Sequence, residues 1–599
     1  MRELCRHHGP LMFLRLGEVP TLVVSSAEAA ELVMRTHDLS FASRPSSVTI
    51  DIVGCCGKGI GFAPYGERWR QMKKICIMEL LNAKQVKRVE SIRAEEVGRL
   101  LRSIAAASGF VNLSKKASAL ANDIVAMAMF GGKCAEEKSE FVLAYDQVSE
   151  LVAGFFPLDF FPSSRIVRRL STVERRLRGS YGCIQRIIAS IIESRNAEIA
   201  ANGDQEDFLG VLLRLQKQDS LAFPLTPETI GAIMFDIFGG ATTTLGSTVE
   251  WAISELLKKP ETMAKAQLEV RSVLGALRGV ITNTDLGGLN YMRMVIKEVL
   301  RLHPPNPMLV PRESREDCEI MGYHIPKGTK IHINAFAISR DQRYWYNPEA
   351  FNPERFENSN VDFKGTNFEF TPFGAGRRQC PAILFGTSAV EIALANLLYH
   401  FEWVLPDGEN SHLLDMSETF GMGVRKKVEL HLRATPYVHS DADCSNTFFP
   451  SSKDMDTECN AYRYAGRVIL VAAAAGGRGA RVPRRQHEQQ LVVPVALPGQ
   501  APSPSPAARQ ARWIRRQRRW DLEVCGVPEA AGPPQLGQSS PAVTAAGPVG
   551  NRLASLQFVQ TPSGSGHLCP RRWGCIAGAA TPLAKKSSSM ELIAFFILT

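Results

Sequence analysis

Residues 370–381 read Phe-Thr-Pro-Phe-Gly-Ala-Gly-Arg-Arg-Gln-Cys-Pro, and an apolar stretch with the periodicity of a long helix, 382–401, follows at once. Phe373, Gly376, Arg378 and Cys380 satisfy the spacing F-x-x-G-x-R-x-C, which a chain of this size would match by chance about once in a few hundred sequences. The chemistry fits a metal ligand. A cysteine at a helix amino terminus meets unpaired N–H groups and the positive end of the dipole, both of which favour the thiolate. Gly374 and Gly376 allow a tight backbone whose amides can face that sulfur, and Pro381, just inside the helix, needs no N–H partner. Two plainer readings are an inert buried cysteine and a membrane span over the apolar run. Arg377 and Arg378 argue against the first, and Glu391 in mid-run against the second.

Outward from this loop, Glu298 and Arg301 sit three apart on the helical pattern 289–302, which Pro304 and Pro305 terminate. That spacing puts both side chains on one face, although surface helices carry many such pairs. Thr226, Pro227 and Glu228 supply an N-cap, a first-turn proline and an early acid for a helix running to about Lys258. At 1.5 Å per residue it would be roughly 45–50 Å long and must cross a whole domain. Its middle, Phe238-Gly-Gly-Ala-Thr-Thr-Thr-Leu245, is rich in small residues and hydroxyls. Such a segment can bend and approach a flat ligand; a glycine-weakened core helix is the plainer reading.

Together these stretches resemble the cytochrome P450 superfamily, and in wording the plant A-type haem-thiolate monooxygenases of grass specialised metabolism. PYGERWRQMKK at 64–74, the FGGATTT segment, KEVLRLHPP, VPRES at 310–314 and the cysteine loop occur in family order across residues 1–437. The resemblance implies one mainly α domain with small β-sheets, the cytochrome P450 fold, holding haem b with Cys380 as axial iron ligand. It assigns Trp69, Lys73 (where arginine is usual), Arg312 and Arg378 to the haem propionates, with Phe373, Gly374 and Gly376 shaping the ligand loop. Arg355, in the run Asn352-Pro-Glu-Arg-Phe, joins Glu298 and Arg301 in a buried structural network.

Thr244 matches the threonine that helps deliver protons to dioxygen, while Thr243 stands where the family usually has an acid. The departure predicts a less tightly coupled oxygenase, in which Thr243→Asp raises product formed per NADPH consumed. The implied reaction is hydroxylation of a small apolar plant metabolite, first of all a terpenoid, with O2 and electrons from NADPH. The partner is NADPH–cytochrome P450 reductase, and the basic residues Arg68, Arg70, Lys73, Lys74, Lys84, Lys87 and Arg88 would steer it to the cysteine side. Phe155, Phe156, Phe160 and Phe161 would line an access channel or pack as core. Two rival readings are a haem-thiolate hydroperoxide isomerase or dehydratase and a non-functional product of a damaged gene model. Relatives of the first kind carry an expanded cysteine loop, whereas Phe373 to Cys380 keeps the standard spacing.

Charge divides the chain. Residues 461–599 hold 17 Lys and Arg against 5 Asp and Glu, so removing this +12 from the total of +10 leaves −2 for residues 1–460. From 438 onward the texture is low-complexity, with Pro-Ser-Pro-Ser-Pro at 502–506 and an arginine cluster at 512–519. An Arg/Trp arm for nucleic acid is one reading of that cluster; no binding-module motif accompanies it, and no nucleic-acid partner is expected. Thirteen scattered cysteines exclude a compact disulfide framework and favour a reducing compartment.

The residues at 1–8 read as the end of a helix, followed by strands at 11–16 and 21–24 joined through Gly17, and by a helix at 27–36 opened by Ser25 and Glu28 as a capping box. Family members begin with a membrane anchor and a Pro-rich hinge that hold them on the cytosolic face of the endoplasmic reticulum. Neither precedes residue 9, so the expectation is an amino-terminally truncated chain that is cytosolic or peripherally bound.

Overall fold

The longest element is the helix announced by Thr226. In a computed structural model it spans Pro227–Lys258, and the Thr226 hydroxyl accepts from Thr229 N at 3.3 Å. The structure describes residues 1–437 except 132–134, 153–155, 203–206, 219–220, 276–278, 407–410 and 420–422. The expected tail from residue 438 and the channel residue Phe155 lie outside the described residues.

Six helices position the site: α1 (Glu67–Ile75), α2 (Glu90–Ala105), α3 (Leu113–Phe130), α4 (Pro227–Lys258), α5 (Asn290–Leu302) and α6 (Ile383–His400). The core is centred on α4, whose Phe235, Phe238, Leu245, Trp251 and Ile253 are buried with Ile124 and Val125 of α3, Val299 of α5 and Leu394 of α6. Gly246 is what lets α4 approach α3, since a Cβ there would lie 3.2 Å from the Ser118 Cα. α6 is long and apolar enough to cross a membrane, yet 67% of it is buried inside this core, and among the described residues it is the only such helix. Its lack of a polar face follows from the burial of most of its surface.

Among the described residues eleven short strands frame the helices: β1 (Leu11–Leu16), β2 (Val19–Val24), β3 (Val111–Asn112), β4 (Arg312–Glu313), β5 (Cys318–Ile320), β6 (Tyr323–Ile325), β7 (Lys330–Ile333), β8 (Phe401–Val404), β9 (Glu418–Thr419), β10 (Arg425–Lys426) and β11 (His431–Pro436). The main sheet has the order β1-β2-β7-β4, with β2 and β7 parallel (Val24 opposite Ile333) and β4 antiparallel to β7 (Arg312 opposite Ile331). Strands β3-β11-β8 make a second sheet, and β5-β6 and β9-β10 are two-stranded ladders. The mainly α architecture with small sheets is the expected one.

Local details depart from the sequence reading by a residue or two. The helix over 27–36 is an α-turn, Ala27–Glu31, continuing as a π-helix, Leu32–Thr36. Its cap is Ser26, whose hydroxyl accepts from Ala29 N at 3.2 Å, whereas Ser25 donates to Cys5 Sγ at 2.7 Å. Phe160 and Phe161 pack against the β1–β2 turn: the Phe160 carbonyl accepts from Glu18 N at 2.8 Å, and a Cβ on Gly17 would stand 2.4 Å from it.

Candidate active site

The cysteine loop is built by local backbone bonding. Cys380 N donates to the Phe373 carbonyl at 3.0 Å, closing an eight-residue loop, and Gly374 N donates to Thr371 O at 3.0 Å. Gly374 and Gly376 both have φ +67°, and a Cβ on Gly376 would stand 2.0 Å from the Met34 carbonyl oxygen, so no other residue fits there. Pro381 does not open the helix as the sequence suggested. α6 starts at Ile383 with Ala382 as N-cap, leaving Cys380 and Pro381 in the turn ahead of it. Burial pushes the Cys380 thiol up, and the Ala382 N–H and the Lys73 charge pull it back. Those two groups stabilise a thiolate once a cation shares the site.

Around this loop the structure gathers the matched cations. Lys73 of α1 donates to the Gln379 carbonyl at 3.1 Å and also to that of Arg377, which binds α1 to the cysteine loop. Arg378 donates to the carbonyls of Ala42 and Ala63, both at 2.6 Å, and its guanidinium lies 4.0 Å from the Trp69 ring centre. Trp69 Nε1 donates to Ile60 O at 3.0 Å. Arg312, presented by edge strand β4, pairs with Asp38 at 3.0 Å and donates to Ala375 O at 2.7 Å. Arg44, which the sequence reading missed, joins them with donations to Gly61 O at 2.9 Å and to Val310 O and Pro311 O at 2.8 Å.

Burial lowers the proton affinity of Lys73 to about 8 and of Arg378 to about 9, with neighbouring cations adding to each shift. Arg44 is pushed down in the same way by burial, then by Arg378 and Arg312. Four cations therefore crowd one another, with Asp38 and Asp236 as the carboxylates that offset them. A dianion with two carboxylates would relieve that crowding, so the donor set fits the propionate edge of a haem. Among the described residues no group of three His, Cys, Asp or Glu side chains could hold a metal ion; a single cysteine thiolate is a ligand that haem iron accepts.

In the middle of α4 the buried surface is interrupted at Asp236, which is partly exposed, and most openly one turn later. Gly240 is exposed, with nothing within 4 Å of where a Cβ would sit, and Ala241 and Thr244 beside it are partly exposed. The Thr244 hydroxyl donates to Gly240 O at 2.9 Å, leaving its lone pairs free to accept. Thr243 points elsewhere and is buried; its Oγ1 accepts from Arg425 of β10 at 3.0 Å. Gly423 packs on it, since a Cβ there would lie 2.9 Å from Thr243 Cγ2. The position lacking the usual acid is thus occupied by a hydroxyl bonded to a cation.

The remaining predicted residues form one buried network. Arg301 donates Nε to Glu298 Oε2 at 2.7 Å and Nη2 to Oε1 at 2.8 Å, and Arg355 Nε reaches Oε1 at 2.9 Å. Asn352 N also donates to Oε1 at 2.8 Å. A run of aromatic rings that the sequence did not reveal carries this network to the cysteine loop. Arg301 lies under Trp345, Trp345 meets Phe370 at 6.2 Å, Phe370 meets Phe363 at 6.2 Å, and Phe363 meets Phe373 at 5.2 Å. The basic segment is only partly available for docking: Arg68 is spent on Thr229 at 2.9 Å and Lys73 on the cysteine loop, while Arg70, Lys74, Lys84, Lys87 and Arg88 are exposed.

Comparison with known proteins agrees with this geometry. The family model for cytochrome P450 matches residues 1–431. Desmethyl-deoxy-podophyllotoxin synthase of Sinopodophyllum hexandrum is 46% identical over 440 residues, covering 73% of this chain and 86% of the relative. Zealexin A1 synthase of Zea mays is 45% identical over 446 residues, with coverages of 73% and 88%. Ent-isokaurene C2/C3-hydroxylase of Oryza sativa subsp. japonica is 44% identical over 446 residues, with coverages of 72% and 86%. A zebra fish cytochrome P450 structure with abiraterone superposes with a TM-score of 0.62 at 25% identity, over 73% of this chain and 98% of that one. With its cysteine loop, its cation cradle and the Glu298–Arg301–Arg355 network all in one helical domain, the chain belongs to the cytochrome P450 family and is a monooxygenase.

Proposed function

We propose that the protein hydroxylates a small apolar plant metabolite of the terpenoid class, using O2 and electrons passed from NADPH by a membrane-bound reductase on the cytosolic face of the endoplasmic reticulum. The observation that carries the reading is Cys380, the one sulfur at the centre of a loop closed by the Cys380 N to Phe373 O bond and faced by Lys73. Relatives named ent-isokaurene C2/C3-hydroxylase, ent-cassadiene hydroxylase and dolabradiene monooxygenase, all 44% identical, support the substrate class. Residues 1–437 make the catalytic domain, and 438–599 a basic, low-complexity stretch of sequence.

In this reading a haem b ligated by Cys380 supplies oxygen activation when bound. Trp69, Lys73, Arg312 and Arg378, with Arg44, hold its carboxylates; Phe373, Gly374 and Gly376 keep the sulfur in place. Thr244 accepts and passes a proton on the open face of α4, and Thr243 holds Arg425 by accepting its hydrogen bond. Glu298, Arg301 and Arg355 hold the loop and take no part in chemistry. Exposed Arg70, Lys74, Lys84, Lys87 and Arg88 receive the acidic face of the reductase, so turnover should slow as salt is raised. The test is reconstitution with reductase, NADPH and a panel of terpene hydrocarbons under 18O2. One labelled oxygen in the product is expected; NADPH-independent conversion of a lipid hydroperoxide would favour the isomerase reading instead.

Thr243 gives a sharper test. Thr243→Asp sets a carboxylate within reach of Arg425 and restores an ionisable group beside Thr244. Product formed per NADPH consumed should rise, with less hydrogen peroxide released. An unchanged ratio, both in this variant and in Thr243→Asp combined with Arg425→Gln, would sink the relay reading.

A further inference from the structure

Asp236 lies on α4, one helical turn before the open face at Gly240, and no step of the proposed reaction uses it. Its Oδ2 accepts two backbone bonds from a distant loop, Ile60 N at 2.7 Å and Gly61 N at 2.9 Å. The loop is cut to fit this carboxylate. A Cβ on Gly59 would stand 2.1 Å from Oδ2, and one on Gly61 would stand 3.2 Å from Oδ1. The opposite side of the same loop carries the cradle: Ile60 O accepts from Trp69 Nε1 at 3.0 Å and from Arg378 Nη1 at 3.5 Å, and Gly61 O accepts from Arg44 Nε at 2.9 Å.

The Ile60 carbonyl and the Gly61 N–H belong to one peptide group. That single group therefore bonds an anion on its N–H side and two cradle donors on its C=O side. Hydrogen bonds in series polarise one another, so the charge on Asp236 strengthens the hold on Trp69 and Arg378. We propose that Asp236 is a positioning residue, a latch that ties the Gly59–Gly61 loop to α4 and through it sets the cation cradle, and that protonating it loosens both. The coupling to the cradle rests on the proposed haem function; the latch itself does not.

Titration of this group is physically in range. Burial raises the Asp236 carboxyl to about 6, against the two backbone N–H groups and Arg44, which lower it. The ionisable groups facing it are Arg44, Cys76 from the segment after α1, and Tyr181 from the helix Val173–Asn202. Burial and the Asp236 charge raise both Cys76 and Tyr181, so these stay neutral across pH 5–8, and Arg44 keeps its charge. Asp236 is then the one group in this set that changes charge between pH 5 and 8. Because its folded value lies above the unfolded one, ionisation costs global stability as pH rises towards about 6, while it tightens the local loop.

The test is hydrogen exchange of the Ile60 and Gly61 amides in the purified holoenzyme, expressed as protection relative to the intrinsic rate at each pH. Bonds to a charged acceptor outweigh neutral ones, so protection should fall about tenfold between pH 7.5 and pH 5.5. In Asp236→Asn it should be low at both values, with α4 still protected as the folding control. Haem transfer to apomyoglobin should quicken over the same pH range in the wild type and lose that step in the variant. Protection that does not change with pH in the wild type overturns the latch, and this needs no variant to fold. Exchange that follows pH while haem transfer does not overturns the coupling to the cradle. Protein purified without any haem speaks against the functional reading instead, and its exchange profile still judges the latch.

Discussion

Cys380→Ser abolishes product formation and removes the thiolate-type Soret shift from the reduced carbon-monoxide difference spectrum. The expectation follows from how the loop is held. Its closure is backbone to backbone, Cys380 N to Phe373 O at 3.0 Å, and serine keeps that bond with a side chain of the same shape and slightly smaller size. What is lost is the one sulfur that the Ala382 N–H and Lys73 favour as an anion. A serine hydroxyl does not ionise under the same influence and is a poor ligand for iron. Product formation falls below detection while the circular dichroism and the unfolding midpoint stay close to wild type. Retained turnover with a thiolate-type spectrum would show that the sulfur is supplied from elsewhere and would overturn the site.

Glu298→Ala comes next in size, and here the loss is one of folding. Glu298 and Arg301 are fully buried and Arg355 nearly so, at 0%, 0% and 9% side-chain exposure. Removing the shared carboxylate strands two guanidinium groups with only carbonyl partners. Breaking a buried ion pair on one side costs about 3–5 kcal/mol, a large part of the roughly 5–15 kcal/mol that keeps a domain folded. The Asn352 N–H loses its acceptor as well. Through Trp345, Phe370 and Phe363 the damage reaches Phe373, so bound haem should disappear along with stability. Urea unfolding with haem absorbance as a second probe checks this. A midpoint lowered by the equivalent of less than about 1 kcal/mol would mean that the network is not what secures the loop.

Much of the site was readable where its causes are local. The cysteine loop needs glycine at two positions of positive φ and a bond across eight residues, all inside one short stretch. The α4 cap, Thr226 before Pro227, is equally local. Errors of register also came from local rules with two near-equal answers. Ser25 and Ser26 are both capping residues by type, and the choice fell to Ser26 because Ser25 is engaged with Cys5. Pro381 suits a first helical turn, but the geometry around Cys380 delays α6 until Ile383.

Other members of the site left no local trace. Asp38 pairs with Arg312 across 274 positions and accepts from Arg377 N at 2.9 Å, and nothing around Asp38 announces either partner. Arg425 reaches Thr243 from 182 positions away, which turns an apparent vacancy in the proton relay into a bonded hydroxyl. Arg68 and Lys73 read as part of a basic docking segment, with Lys73 also matched to an inward role, and in the fold both spend their charge inward.

The sequence by itself determined the family, the glycine-shaped loop that carries Cys380, the caps and approximate spans of the long helices, and the one-face placement of Glu298 and Arg301. Those follow from backbone sterics, hydrogen bonds a few residues long and helical periodicity, which any chain with these neighbours obeys. Tertiary structure alone decided that Arg44 joins Lys73, Arg312 and Arg378 in the cradle, which carboxylates offset them, and that Asp236 grips a loop some 175 positions earlier. Those pairings exist because packing around α4 removes water from the groups involved. A charge out of water must find its partner wherever the fold has placed one.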